Sequence, residues 1–218
     1  MKYTLIGAAA LLLGAYAFYE LNATGRPIGD MGDMAMNGSP PMNNGSATEG
    51  FQAAMNSIMG GMTAPATGYP DVDFANGMIA HHEGAVAMAK VEKQFGKDQL
   101  LLTFSDDIIK TQEAEIAFLK EWLDKQDLSI LQIVPEANKT NSVSMSSMMK
   151  DMAVSYTGNP DVDFANGMIP HHQGAINMAR TVLQFGKDAE IRKLEETIIT
   201  TQGNEIAILK DWLAQGAP

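Results

Sequence analysis

The 218-residue sequence predicts an all-α protein, a four-helix bundle built from two duplicated helical hairpins. More than half of the positions from Asp71 to Leu123 recur, without a gap, ninety positions later. This self-similarity indicates that one structural unit has been duplicated. Within each unit the apolar residues follow the spacing of amphipathic helices, and no convincing alternating strand pattern appears. Two hairpins supply four long helices, for which a bundle is the economical arrangement.

Two segments precede the repeats. Residues 1–21 contain Lys2 and then an uncharged apolar run to Tyr19, which predicts a signal peptide or a membrane anchor and hence an exported protein. Residues 22–48 are rich in Asn, Gly, Pro and Ser and lack apolar periodicity, so we expect a disordered linker. Four thioethers in this linker indicate either compositional drift or an auxiliary collector of copper(I) or silver(I): Met31, Met34, Met36 and Met42.

Each repeat is expected to begin with a short helix that carries methionines on one face. The first repeat spans residues 49–124, a connector spans 125–140, and the second repeat spans 141–218. The methionines follow i, i+4, i+7 spacing, for which we favour core packing or a mixed packing and binding role. They are Met55, Met59 and Met62, with their copies Met145, Met149 and Met152.

The long helices of the first hairpin have recognisable ends. Gly68-Tyr-Pro-Asp predicts a helix that starts near Asp71, and Gly96 predicts its end after Phe95. Asp98 is suited to cap the next helix. The strand-like run 128–134 lies between the repeats and is expected to dock as a connector. Asp73 and its copy Asp163 are expected to act as caps or helix-dipole partners at the helix starts.

The second helix of each hairpin has polar residues in its apolar stripe. The interruptions are Gln112 and Glu115 in the first repeat, and Gln202 and Glu205 in the second. A buried carboxylate is costly unless it is paired or hydrogen-bonded. These groups therefore either lie at the edge of the stripe or support metal-binding histidines by accepting a ring N–H.

All four histidines of the chain form two adjacent pairs, one in each repeat, and each pair shares a helix face with methionines. Met78, His81 and Met88 follow i, i+3, i+10 spacing, and His82 lies about 100° around the helix from His81. Imidazole and thioether together suit soft or borderline metals, above all copper(I), with silver(I) and copper(II) as alternatives. The predicted ligands are Met78, His81, His82, Met88, Met168, His171, His172 and Met178.

In the second repeat, a proline directly precedes the histidine pair. Pro170 replaces Ala80 of the first repeat, and it removes a backbone donor and crowds the preceding turn. The helix that carries His171 and His172 therefore either starts or kinks at Pro170. The two halves need not bind metal equally.

Composition excludes several classes of protein. The net charge of −11 disfavours nucleic acid as a partner. The absence of cysteine excludes disulfides, thiolate zinc sites and cysteine nucleophiles. We find no Ser-His-Asp or phosphate-binding constellation, so we expect binding without catalysis.

The Asp-Phe…Met-Ile…His-His…Gly-Ala…Met-Ala frame, followed by Gln-x-x-Glu-Ile and Trp-Leu, resembles the bacterial family called Domain of Unknown Function 305. The resemblance covers about residues 50–124 and 140–214. It implies a ferritin-like four-helix arrangement and kinship with exported copper-binding proteins of the CopM type, which are linked to copper resistance. Carried onto this chain, it implies the same eight histidine and methionine ligands. Ala80 departs from the proline that is more frequent in the family.

These observations predict an exported protein that sequesters or buffers copper(I), with the metal ion and a copper-export or copper-sensing protein as partners. Two alternatives stay open at this stage. One is a ferritin-like di-metal oxidase, although the Glu-x-x-His pairs of such sites are missing here. The other is a structural or interaction module in which the His/Met face is only core.

Overall fold

The computed structural model describes residues 46–61, 66–131, 133–137 and 154–216, and the main elements in these ranges are helical. They are α1 (Ala47–Gly61), α2 (Pro70–Phe95), α3 (Gln99–Asp124), a 3-10 helix (Leu128–Ile130), α4 (Pro160–Val182) and α5 (Ala189–Ala214). The predicted targeting segment, nearly all of the linker with its four methionines, and the short methionine helix of the second repeat lie outside the described residues. Within the described part of the chain, no helix is long and apolar enough to cross a bilayer.

Four long helices form the bundle that the repeats predict. The pairs α2–α3 and α4–α5 are the two hairpins, and these hairpins contact each other mainly through α2 and α4. Helix α1 packs on α2 and, to a smaller extent, on α4. The predicted fold class is therefore confirmed, and α2 and α4 are its central helices.

Local sequence signals determine where the helices start. Tyr69 precedes Pro70, the first residue of α2, and Asp98 accepts backbone N–H groups of Leu100 and Leu101 at the start of α3. Asp188 caps α5 in the same way. The carboxylates of Asp73 and Asp163 hold the turns before α2 and α4, where they accept the backbone N–H and hydroxyl of a threonine and the N–H of the next glycine.

The structure refines two sequence expectations about helix ends. Gly96 does end α2, but its φ of −67° lies outside the left-handed region that usually selects glycine there. Glycine is needed because a side chain at this position would collide with the Glu92 carboxyl group. Pro170 lies inside α4, so the helix does not start there.

Reciprocal contacts relate the two repeats by an approximate two-fold axis. Asp161 at the start of α4 accepts N–H groups of Lys97 and Asp98, the loop of the first hairpin, at 2.9 and 2.8 Å. Asp71 at the start of α2 accepts those of Lys187 and Asp188, the loop of the second hairpin, at 3.0 and 3.4 Å. Helices α2 and α4 therefore run antiparallel, and each begins against the other repeat's loop.

The close approach of α1 to α2 depends on Gly84. A methyl group on Gly84 would overlap the side chain of Ile58, which is 1% exposed. We expect Gly84→Ala to lower the free energy of unfolding by about 1–3 kcal/mol through overpacking. The matched control is Gly203→Ala on α5, where an added Cβ would have no atom of a packing neighbour within 4 Å among the described residues. Because alanine favours helix, this control should raise stability by about 0.5–1 kcal/mol. Urea unfolding followed by circular dichroism measures the free energy of unfolding of both variants. Equal changes in the two variants would contradict the packing explanation.

Candidate metal site

The four histidines meet in the middle of the bundle and form a histidine cluster (His81, His82, His171, His172). Every one of them is fully buried. From helical geometry alone, both members of an adjacent pair cannot be central on one stripe. The structure shows how both are nevertheless buried: α2 and α4 are each covered on more than one side. His81 faces α4, whereas His82 faces α3.

His81 and His171 meet across the approximate two-fold axis. Their ring centroids are 3.7 Å apart with an angle of 39° between the planes. His171 Nε2 lies 3.1 Å from the backbone oxygen of His81. A carbonyl oxygen only accepts, so His171 carries its proton on Nε2. His81 lacks an equivalent contact, because neither of its ring nitrogens has a hydrogen-bond partner among the described residues.

Each outer histidine lies against a carboxylate from the second helix of its own hairpin. His82 Nε2 is 2.7 Å from Glu115 Oε2, and His172 Nε2 is 2.9 Å from Glu205 Oε2. The oxygens lie off the direction of the ring N–H, so the contacts are close without being well-aligned hydrogen bonds. A carboxylate at this distance repels a nitrogen lone pair and favours the tautomer with hydrogen on Nε2.

This arrangement leaves ring lone pairs available. Burial, and then the neighbouring histidines, lower the pKa of His81 and His171 well below the ordinary value, so both rings are neutral at neutral pH. The Nδ1 atoms of all four rings are buried without a hydrogen-bond partner among the described residues. Because Nε2 lies close to an oxygen in three of the rings, Nδ1 is the nitrogen with a free lone pair in those rings. Unpartnered lone pairs in a dry interior are a strong indication of a ligand.

The predicted methionine ligands are also buried, and two of them cross between the repeats. Met78, Met88 and Met168 are at most 1% exposed, and Met178 is 8% exposed. A methyl group on Gly167 of α4 would lie 3.7 Å from Met88 Sδ, and one on Gly77 of α2 would lie 3.0 Å from Met178 Cε. Each of these methionines therefore lies about one turn from the histidines of the other repeat.

Gln112 and Gln202 were expected either at the edge of the apolar stripe or in support of the histidines. Both are 3% exposed, and their side-chain oxygens have no hydrogen-bond partner among the described residues. They lie one turn before Glu115 and Glu205. No contact between either amide and a ring nitrogen is found in this part of the chain.

The donor set fits a soft metal ion better than a hard one. Within the described ranges, no three His, Asp or Glu side chains are grouped closely enough to hold a metal ion as they stand. Imidazole nitrogen and thioether sulfur, by contrast, are the donors that copper(I) accepts. Binding requires the buried rings to rotate and an entry path to open, because the cluster is closed to solvent.

Sequence reasoning missed two buried glutamates outside this cluster. Glu92 and Glu195 are both fully buried, and burial above all raises the pKa of each to about 8. The repeat contains a signal for them: the copy of Glu92 is Val182, and the copy of Glu195 is Ser105. Such charged-for-uncharged differences mark the positions where the two hairpins depart from symmetry.

Comparison with known proteins agrees with the helical repeats. The family model described as Domain of unknown function (DUF305) matches residues 71–213. The chain is 46% identical over 46 residues to an uncharacterized protein of Acanthamoeba polyphaga mimivirus, which is 21% of this chain and 30% of the viral protein. The match therefore spans less than a third of that relative.

Solved structures share the fold. CopM in a silver-bound form obtained by soaking has a TM-score of 0.53 and 28% identity, over 71% of this chain and 100% of that chain. CopM in its Cu(I)-bound form has a TM-score of 0.51 and 28% identity, over 68% and 98%. A DUF305 fragment from Deinococcus radiodurans, with a TM-score of 0.50 and 22% identity over 70% and 99%, shows the fold alone.

Proposed function

The chain belongs to the DUF305 family, and on that premise we propose that it sequesters or buffers copper(I) outside the cytoplasm through its His/Met site. The observation that carries the proposal is the histidine cluster, with four buried rings whose Nδ1 atoms have no partner among the described residues. Buried polar atoms are normally satisfied, so a site of this kind is stabilised by a bound ion. Silver(I) has the same preference for soft donors.

The solved relatives support the choice of metal. CopM has been crystallised with silver and with copper in both oxidation states, and it shares the fold of this chain at 28–29% identity. In this chain the candidate ligands are Met78, His81, His82 and Met88, with Met168, His171, His172 and Met178. Because Met88 and Met178 cross between repeats, the two halves are expected to act as one composite site.

We expect the site to bind a metal ion without catalytic turnover. Full burial of the rings leaves no open position for a substrate, whereas catalytic metal sites keep one. The same burial predicts slow release of the ion, as expected of a store. The proposal of export rests on the apolar N-terminal run.

We predict that the linker methionines form a second copper(I) site, which binds more weakly and exchanges its ion faster than the bundle site. Binding there must order the chain, which costs roughly 1–2 kcal/mol for each residue fixed. Deleting residues 22–48 should lower the copper bound at excess metal and leave the tightest class unchanged.

The test of the proposal is metal preference. We expect the purified chain to hold copper(I) at least about a hundredfold more tightly than zinc(II), because its donors are thioether and imidazole. Competition against a chromogenic copper(I) chelator, and separately against a zinc indicator, measures both affinities. Firm zinc binding together with failure to take copper(I) from a weak chelator would overturn the proposal.

A further inference from the structure

A buried acidic pair joins the end of α2 to the start of α4, apart from the histidine cluster. The Glu92 side chain is fully buried, and its carboxyl group lies against Gly96 in the α2–α3 loop. Asp161 Oδ1 also accepts the backbone N–H groups of Lys97 and Asp98, at 2.9 and 2.8 Å. The Asp161 carboxylate therefore holds the α2–α3 loop against α4, and the Glu92 carboxyl group lies on the buried side of the same loop.

A proton is required in this pair. No N–H or O–H donor of the described residues reaches either oxygen of Glu92, so two ionised carboxylates would face each other without a bridging hydrogen. Asp161 is the natural ionised partner, since it already accepts two amide N–H groups. Glu92 is then the protonated partner, and it donates its O–H to Asp161.

We propose that Glu92 and Asp161 share one proton and form a latch that weakens as the pH rises and releases the α2–α3 loop from α4. Helices α2 and α4 carry all four histidines, so the latch holds together the two helices that form the histidine cluster. Loss of the proton places two negative charges in contact in a buried position. Such contacts are strongly unfavourable.

The electrostatics agree with this geometry. Burial, the hydrogen bond to Asp161 and the negative charges of Asp161 and Asp98 raise the pKa of Glu92 to about 8. Burial opposes ionisation of Asp161 too, but the N–H groups of Asp98 and Lys97 and the bond from Glu92 hold its pKa below the ordinary value. When the loop opens, Glu92 regains an ordinary pKa. The latch is therefore strongest below that value, weakens as pH rises, and is fully weakened above about pH 8.

The opposite end of the bundle provides a matched control. Glu195 is equally buried, and burial and the charges of Asp71 and Glu196 raise its pKa to about 8, against an opposing effect of Arg192. Val182 stands where the first repeat has Glu92. This end therefore lacks a carboxyl group at the position of the latch.

Amide hydrogen exchange on the metal-free full chain tests the latch at the N–H groups of Lys97 and Asp98. In the wild type, protection corrected for intrinsic exchange should fall by up to about tenfold for each pH unit between about pH 5 and pH 8. Glu92→Gln keeps a donor to Asp161 and does not titrate, so its protection should be independent of pH. Glu195→Gln should retain the wild-type slope. Glu92→Val, which copies the second repeat, should have low protection at every pH.

Three results would overturn the proposal. They are a wild-type slope in Glu92→Gln, the absence of any slope in the wild type, and recovery of wild-type protection at pH 8 when calcium or manganese is added. The last result would assign the pair to a cation in place of the proton.

Discussion

Replacing His81 and His171 together by leucine is expected to remove the tight copper(I) class and to leave the metal-free protein about as stable as the wild type. The centroids of the two rings lie 3.7 Å apart at the centre of the bundle, so both rings are expected to bind one shared ion. Loss of two imidazole ligands should weaken copper(I) binding by at least about a hundredfold, which corresponds to roughly 3 kcal/mol. Chelator competition measures this change.

The stability of the same variant distinguishes a ligand role from a structural role. Neither ring nitrogen of His81 has a hydrogen-bond partner among the described residues, and such orphaned groups cost about 1–3 kcal/mol in a folded protein. Leucine removes that cost. Against this, loss of the bond from His171 Nε2 to the His81 carbonyl costs about 1 kcal/mol. The two effects nearly offset each other, so urea unfolding should change little.

Controls define the outcome. Ile108→Leu, a volume-conserving change at a buried position of α3, should alter neither copper binding nor stability by more than about 1.5 kcal/mol. The double changes His81→Ala/His82→Ala and His171→Ala/His172→Ala should each remove part of the metal capacity. Unchanged copper affinity in the leucine variant would make the histidines structural. A loss of several kcal/mol in stability without metal would identify them as core hydrogen-bonding groups.

The sequence predicted the helices of this fold better than it predicted which helices pack against each other. The repeat and the periodicity located both hairpins, and the Asp98 and Asp188 caps follow from residue type alone. The spacing of Met78, His81 and Met88 shows that they share a face, but a single helix does not specify what covers that face. The packing of His81 on His171 comes from the two-fold relation between the repeats, which appears only when the chain folds back on itself.

Buried charge was the harder feature to foresee. Glu92 lies near the end of α2, where a glutamate ordinarily faces solvent, yet it is fully buried in the folded protein. The interruption of the α3 stripe at Glu115 was informative, because a carboxylate on an apolar face needs a partner. The structure places His82 at that partner position. The supporting role of Glu115 toward a metal remains a prediction, and it can be tested directly.

Glu115→Gln and Glu205→Gln, combined in one protein, are expected to weaken copper(I) binding about 10- to 100-fold, the usual effect of removing a carboxylate behind a ligating histidine. Glutamine keeps the shape of the side chain but loses the charge that holds hydrogen on Nε2 of His82 and His172. Nitrogen NMR of the metal-free protein reports this directly: the wild type should show the Nε2–H tautomer at both rings, and the variant should show a mixture.

Net charge offers a competing explanation, because the protein carries −11 and any lost carboxylate reduces its general attraction for cations. Glu113→Gln separates the two effects. Glu113 lies on α3 two positions from Glu115, but it is exposed and pairs with Lys90 at the surface at 3.3 Å. Its replacement should leave both the histidine tautomers and the copper affinity unchanged, since exposed ion pairs contribute little. If Glu113→Gln weakened copper binding as much as Glu115→Gln alone, surface charge would account for the effect, and the contact between Glu115 and His82 would have no special role in holding the metal.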